Sequence, residues 1–261
     1  MITQPVKVES AAPVSFLALQ DGRKLAYRLS EGTLPGVLFL GGFRSDMNGA
    51  KALSIEAYYR ETGRRCVCFD YSGHGQSSGK FIEGTIGAWK RDVIDILDHV
   101  ATGANILVGS SLGAWLMLLA TPERYEQVFG MVGIASAPDF TEALIWSQFT
   151  ATQKKELVQR GIVYIPACEG EAPFPITRAL IEEGRNHLVL ERDMALSFPV
   201  RLIHGTKDQD VPWQMSMKLM ERIKSPNISL ELVKDGDHRL SYPAHLALIV
   251  RTVEEVLRIV C

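Results

Sequence analysis

Several features that would decide the class of a protein at once are scarce in this sequence of 261 residues. The formal net charge is only −2, which gives no support for nucleic-acid binding. No apolar run is long enough to span a membrane, so no integral membrane association is expected. The first residues carry no basic or Arg-rich targeting pattern, and cysteines number only four. These scarcities together predict a reduced, cytoplasmic chain.

The cysteines are also poorly placed for a disulfide framework or a metal site. Cys66 and Cys68 stand two apart in a predicted strand, so they share a face but point side by side. Cys168 and Cys261 are isolated, and no cysteine lies in a turn suited to a thiol nucleophile. Ligand-type residues do not cluster elsewhere, so we expect no metal and no organic cofactor. Nothing in the sequence indicates an oligomeric state.

What the chain does contain is an alternation of short apolar strands and amphipathic helices. Such alternation predicts an α/β fold with a mostly parallel sheet and helices on both faces. The buried strands are predicted at Val37–Leu40, Cys66–Phe69, Ile106–Val108, Val128–Ile134 and Val200–His204.

The alternation stops between residues 137 and 198, where we find helical segments and no strand pattern. We therefore predict one domain with a core of residues 1–136 and 199–261. Residues 137–198 are predicted to form a helical lid inserted over the active edge of the sheet.

The clearest motif is Gly109-Ser110-Ser111-Leu112-Gly113, which follows a buried strand and opens an apolar helix. This Gly-x-Ser-x-Gly pattern in that context is typical of a nucleophile elbow. The turn holds the serine in a strained backbone conformation, with its hydroxyl pointing away from the C-terminal edge of the sheet. Side chains at the two glycine positions would collide with the neighbouring strand and helix. Ser111 is the predicted nucleophile, and a plain strand-to-helix turn is the alternative.

A serine hydroxyl needs a base to remove its proton. His238 follows the last predicted strand and is therefore expected at the same edge as Ser111. His204, at a strand end, is expected in a core or hydrogen-bonded role. His74, between two glycines, is expected to belong to a structural turn beside the elbow.

The base in turn needs an acid to orient it. Asp208 stands in Gly-x-x-Asp-x-x-Val-Pro after the strand that ends at His204, and it is our choice. Asp210 could instead cap the next helix, and Asp139 is a further candidate for the acid. Asp237 is expected to stabilise its own loop.

Mechanism then requires donors for a developing oxyanion. The backbone N–H of Leu112 follows the nucleophile, and the backbone N–H of Phe43 lies in the turn after the Phe39-Leu40 strand. These two N–H groups are the predicted oxyanion hole.

Substrate contacts are predicted from an arginine and from aromatic residues. Arg44, just past the oxyanion turn, could meet a polar or anionic leaving group, with a solvated side chain as the alternative. Phe140, Trp146 and Phe149 could line an acyl channel, or could simply pack the lid against the body.

These motifs, in the order Ser111, Asp208, His238, resemble the serine α/β-hydrolases over nearly the whole chain. Within this family, the chain resembles in particular a branch that cleaves palmitoyl thioesters of proteins and acyl glucuronides. It implies an eight-stranded, mostly parallel sheet and the same three catalytic residues. The resemblance lies in residues 42–52, 69–73, 107–118, 204–208, 211–213 and 237–239.

The expected function is hydrolysis of a carboxylic ester or thioester through an acyl-serine intermediate, with a small acyl compound or an acylated protein as substrate. A carbon–carbon bond hydrolase or a cofactor-free perhydrolase would use the same residues. A ligand receptor built on a hydrolase scaffold is the alternative from another class. A serine at position 111 argues against dehalogenases and epoxide hydrolases of this fold, since those use an aspartate.

Overall fold

The computed structural model describes residues 11–166 and 172–261. Met1–Val6, where no targeting pattern was found, and Cys168 lie outside the described residues. The strands, numbered in chain order, are β1 (Ser15–Ala18), β2 (Lys24–Ser30), β3 (Thr33–Leu40), β4 (Arg64–Phe69), β5 (Asn105–Ser110), β6 (Val128–Ile134), β7 (Ile162–Ile165), β8 (Phe174–Thr177), β9 (Met194–Ala195), β10 (Val200–Gly205), β11 (Ile223–Lys224) and β12 (Ile228–Val233).

Helices follow most strands of the core. They are α1 (Ala50–Glu61), α2 (Ile86–His99), α3 (Leu112–Ala120), α4 (Ala151–Arg160), α5 (Arg178–Gly184), α6 (Gln214–Arg222) and α7 (Pro243–Val260). No helix of the described residues is long and apolar enough to cross a bilayer.

The main sheet has eight strands in the order β1-β2-β4-β3-β5-β6-β10-β12. β1 and β2 pair antiparallel, β2 pairs antiparallel with β4, and the remaining strands are parallel. The predicted eight-stranded, mostly parallel sheet is therefore confirmed. Parallel strands end at one edge, so the loops after β3, β5, β6, β10 and β12 meet there.

The period-2 alternation of the strands supplies two apolar faces. Leu38 and Leu107 face the core shared with α2 and α3, whereas Phe39 and Val108 face the core shared with α1 and α7. Helices thus cover both faces, as predicted. Cys66 and Cys68 share the second core and are unpaired, in agreement with their spacing.

The expectation that residues 137–198 contain no strand is wrong. β7 and β8 form an antiparallel pair in which Ile162 lies opposite Thr177, and β9 pairs with β11. These strands have two to four residues, and β8 contains Pro175, a residue that weakens a strand pattern. The helical segments of this stretch include α4, α5 and a π-helical turn at Thr141–Ile145.

Candidate active site

The Ser111 turn has the strained geometry that the motif predicts. Ser111 has φ 53° and ψ −113°, and its N–H donates to the carbonyl of Ile134 at 2.8 Å. A Cβ on Gly109 would lie 2.5 Å from the Ala114 nitrogen, and one on Gly113 would lie 2.2 Å from the Leu40 carbonyl oxygen. The two glycines therefore let β5, β3 and α3 approach closely enough to hold the serine in this conformation.

His238 bridges Ser111 and Asp208. Its Nε2 lies 3.2 Å from Ser111 Oγ, and its Nδ1 lies 2.7 Å from Asp208 Oδ2. Because a carboxylate only accepts, Nδ1 carries the proton and Nε2 is left to accept from the serine hydroxyl. The imidazole is partly exposed, whereas the Asp208 carboxylate is fully buried. This is the hydrogen-bonding order that activates a serine.

The other carboxylates considered as orienting acids have different partners. Asp139, with φ 56°, accepts from the backbone N–H groups of residues 189 and 190 through both oxygens. Asp237 accepts from the N–H of Leu240 within its own loop, as predicted. Asp210 is exposed and does not cap a helix, since α6 begins at Gln214 with Trp213 as its N-cap residue.

Asp208 is held as an anion by four N–H donors. Oδ1 accepts from the backbone N–H of Asp210 at 2.9 Å and of Val211 at 2.8 Å, while Oδ2 faces His204 as well as His238. Burial acts to raise the pKa of the carboxyl, but the hydrogen bonds from His204 and His238 and the nearby imidazole charge outweigh it. The pKa of Asp208 is therefore well below its ordinary value.

The turn after β3 lies against Ser111. A Cβ on Gly42 would lie 3.5 Å from Ser111 Cβ, and the Ser45 N–H closes the turn on the Gly42 carbonyl at 3.1 Å. Arg44 has φ 62°, the positive value that marks the third residue of a type II turn. In the hydrogen-bond network of residues 11–166 and 172–261, the N–H groups of Phe43 and Leu112 have no acceptor.

Two residues of the loop after β4 support this turn from behind. The Arg44 N–H donates to Nε2 of His74 at 3.3 Å, and the Tyr71 hydroxyl donates to the Gly41 carbonyl at 3.1 Å. Burial lowers the pKa of His74 to about 4, so its imidazole is neutral and can accept. The expectation that His74 belongs to a structural turn agrees with this contact.

The three predicted aromatic residues, Phe140, Trp146 and Phe149, do not all contact the same ring. Phe140 packs on Phe43, with ring centres 5.4 Å apart, and is therefore beside the oxyanion turn. Trp146 instead contacts two cationic side chains, those of Lys154 and Arg185, each 4.9 Å from its ring centre. The structure pairs Phe149 with Trp146 and not with Phe43.

An aromatic residue that the sequence did not single out completes the surroundings of Phe43. Phe174 of β8 lies 6.1 Å from the Phe43 ring, and the Arg44 guanidinium carbon lies 4.4 Å from the centre of the Phe174 ring. Arg44 is thus an exposed side chain that packs on an aromatic face and lines a cavity of about 320 Å³ with His74 and Phe81. Ser111 does not line that cavity.

Within the described part of the chain, one group could offer three ligand atoms to a cation. Asp208, Asp210 and His238 place one such atom each within 4.8 Å of one another. In this group the Asp208 carboxylate is already satisfied by four N–H donors, and His238 Nδ1 is engaged with it. We therefore assign the group to the Asp–His interaction.

This chain is similar in sequence to known proteins over most of its length. The model of the Alpha/beta hydrolase family matches residues 37–251. Palmitoyl-protein thioesterase ABHD10, mitochondrial, from Mus musculus is 40% identical over 247 residues, which are 94% of this chain and 83% of that protein. The Homo sapiens protein of the same name is 39% identical over 245 residues, covering 94% and 80%.

A solved structure agrees with the sequence comparison. Alpha/beta hydrolase domain-containing protein 10 from mouse superimposes with a TM-score of 0.89 and 39% sequence identity. The match covers 96% of this chain and 100% of that chain.

These relatives contradict the expectation of a cytoplasmic chain, because they are named as mitochondrial. That expectation depended on scarce cysteines and on the first residues of the sequence. Cys66 and Cys68 are free, and free cysteines do not single out one compartment.

Proposed function

The chain belongs to the alpha/beta hydrolase family, and from that membership we propose that Ser111, His238 and Asp208 are the catalytic triad of a serine hydrolase. Hydrolysis of an ester or thioester, predicted from the motifs, is confirmed by the family match and by the thioesterases among the relatives. The observation that carries the triad is the hydrogen-bonded line from Ser111 Oγ through His238 to Asp208.

In the first half of the reaction, Ser111 Oγ attacks the acyl carbonyl carbon while its proton passes to His238 Nε2. The carbonyl oxygen becomes an oxyanion, which accepts hydrogen bonds from the N–H groups of Phe43 and Leu112. Collapse of this intermediate breaks the bond to the leaving oxygen or sulfur. The leaving group takes the proton from His238, and the acyl group stays on Ser111 as an ester.

In the second half, water attacks the acyl-serine and gives a proton to His238. The new oxyanion uses the same two N–H groups. Its collapse breaks the ester bond, Ser111 Oγ recovers the proton from His238, and the carboxylic acid leaves. Asp208 stays ionised throughout, since its low pKa opposes proton transfer from the imidazolium.

We further propose that residues 137–198 act as a lid and that the acyl chain lies along its aromatic side. Two observations support this placement. Phe140, from the start of the segment, and Phe174, from β8, both pack on Phe43, whose own N–H is the proposed oxyanion donor. An acyl group bound at Ser111 would therefore meet an apolar wall made by the core and by the segment together.

The substrate class follows from the chemistry of the site and from the relatives. An acyl ester or thioester fits the triad, and the relatives' name, palmitoyl-protein thioesterase, favours a long acyl chain and an acylated protein as one candidate. The net charge of −2 gives no reason to propose a nucleic-acid partner.

Turnover of p-nitrophenyl esters and acyl thioesters of graded length tests this proposal, with the Ser111→Ala variant as control. Fast turnover by the native chain that the variant loses is the expected result. Slow, stoichiometric acylation without turnover would instead favour a receptor on a hydrolase scaffold. Equal rates for the native chain and the variant would exclude Ser111 as the nucleophile.

A further inference from the structure

Asp208 contacts a second histidine besides the proposed base. His204 is the second-last residue of β10 and has no exposed surface, and its Nε2 lies 3.0 Å from Asp208 Oδ2. The same nitrogen lies 3.0 Å from the Val211 carbonyl oxygen. On the other side of the ring, Nδ1 lies 2.7 Å from the hydroxyl of Ser216, which is also fully buried.

The partners of His204 fix its tautomer. A carboxylate and a carbonyl oxygen can only accept, so Nε2 carries the proton and donates to both. Nδ1 of a neutral ring then accepts, and the Ser216 hydroxyl donates to it. Every polar atom of the buried ring is thus satisfied without a positive charge.

The result is an unbroken chain of hydrogen bonds with Asp208 at its centre. On one side stands the partly exposed pair of His238 and Ser111, and on the other the buried pair of His204 and Ser216. Oδ2 of Asp208 accepts from both imidazoles, so the two histidines share the charge of one oxygen.

We propose that His204 is a positioning residue for the hydrolysis: through its Nε2–H it orients Asp208 Oδ2 and limits how strongly that oxygen stabilises protonated His238. This inference rests on the proposed function. Loss of the His204 donor would leave more negative charge on Oδ2, which faces His238. His238 would therefore take up its proton at higher pH. Hydrogen bonding by His204 also contributes to the low pKa of Asp208.

Other charged groups near His238 must stay unchanged for this effect to be isolated. The Lys51 ammonium of α1 donates to the Arg239 carbonyl and lies in the field of Asp237 and Asp208. The charged residues on the elements around His238 include Lys51, Asp208, Asp210, Asp237 and Arg239, and the paired Lys207 and Asp235 on the loops after β10 and β12.

Two amide substitutions at position 204 separate the hydrogen bond from the packing. In His204→Gln the amide nitrogen occupies the place of Nε2 and can still donate to Asp208. In His204→Asn the shorter amide reaches the place of Nδ1, so it can meet Ser216 but not Asp208. Both variants remove the aromatic ring, and neither replaces a charged residue around His238.

The measurement is kcat/KM against pH, whose acid limb reports protonation of His238 in the free enzyme. For His204→Asn we expect the limb to move up by about one pH unit, with a plateau lowered about tenfold. For His204→Gln we expect the acid limb at the same pH as in the native protein and a plateau of kcat/KM within about twofold of the native value. Limbs that coincide in all three proteins, or move equally in both variants, would overturn the proposal.

Ring ¹H–¹⁵N spectra of the native chain test the same inference without turnover and without reliance on a folded variant. We expect His204 to be the Nε2–H tautomer across the pH range in which His238 titrates. A His204 protonated at Nδ1 and bare at Nε2 would overturn the proposal. Because the spectra can be recorded on Ser111→Ala as well, they separate failure of this inference from failure of the proposed function.

Discussion

The backbone N–H of Arg44 donates to Nε2 of His74 across 3.3 Å, and this bond joins the oxyanion turn to the loop after β4. With the Arg44 N–H occupied behind the turn and the Ser45 N–H bonded to Gly42, the Phe43 N–H is left for a ligand.

The first prediction concerns the Phe43 N–H and uses the turn type. Proline suits the second residue of a type II turn, so Phe43→Pro deletes the N–H while keeping the backbone course. Phe43→Ala removes the ring but keeps the N–H and is the matched control. We expect kcat of the proline variant to fall about 100- to 1000-fold below that of the alanine variant. Equal kcat values in two folded variants would place the oxyanion donor elsewhere.

The second prediction concerns His74 and acid stability. Burial lowers the pKa of His74 to about 4 from 6.5 in the unfolded chain, so the unfolded state binds more protons between these values. Stability is therefore lost as the pH falls from 6.5 to 4, by about 3 kcal/mol from this group.

Asp92 acts in the opposite direction, because burial raises its pKa to about 6 and its protonation favours the folded state as the pH falls. Only a difference between variants isolates His74. Urea unfolding of native protein and His74→Gln at pH 7, 5.5 and 4.5 should show a flatter dependence for the variant. Parallel curves would mean that His74 is not buried as a neutral ring.

The third prediction concerns the orienting acid. In Asp208→Asn the amide oxygen should keep the two backbone N–H groups of residues 210 and 211, which turns the NH₂ toward His238. His238 Nδ1 must then accept, so Nε2 carries the proton and faces Ser111 in the wrong tautomer. We expect kcat to fall by about 10⁴-fold, as in the serine-protease triad.

Asp210→Asn and Asp139→Asn are the controls for that change. Asp210 is exposed, and Asp139 holds the backbone at residues 189 and 190, so neither substitution alters the partner of His238 Nδ1. Both should retain kcat within about tenfold of native. If kcat falls strongly in the Asp210 or Asp139 variant and only slightly in the Asp208 variant, Asp208 is not the orienting acid.

Sequence reasoning located residues whose position depends on the end of a strand. Ser111, Asp208 and His238 follow β5, β10 and β12, and parallel strands bring their ends to one edge. The contact of His204 with Asp208 could not be predicted in the same way. It depends on the path of the turn at residues 205–211, which lets the first and last residues of a five-residue stretch face each other.

The aromatic surroundings were predicted less well for a related reason. Phe174 reaches Phe43 only because β7 and β8 pair, and strands of four residues with a proline leave a weak periodic pattern. Trp146 was expected to line the same channel as Phe140, but the π-helical turn Thr141–Ile145 separates the two residues, and their ring contacts differ. The Trp146 ring contacts Lys154 and Arg185.

The last prediction uses this difference between Phe140 and Trp146 to test the acyl pocket. If acyl chains lie along Phe43 and Phe140, kcat/KM should rise roughly fourfold per added methylene until the pocket is full, since each buried methylene contributes about 0.8 kcal/mol. Phe140→Ala should change the length at which the rise stops. Trp146→Ala should leave that length unchanged, because the ring of Trp146 contacts Lys154, Arg185 and Phe149, whereas the ring of Phe140 contacts Phe43.

Rates of p-nitrophenyl esters from acetyl to palmitoyl, measured below their solubility limits, provide the profile. Thermal unfolding of both variants controls for general damage, since the two rings are each partly or fully buried. A profile that peaks at acetyl would show that Phe140 and Phe174 pack the site shut. A shift caused by Trp146→Ala instead of Phe140→Ala would place the acyl chain on the other side of the π-helical turn.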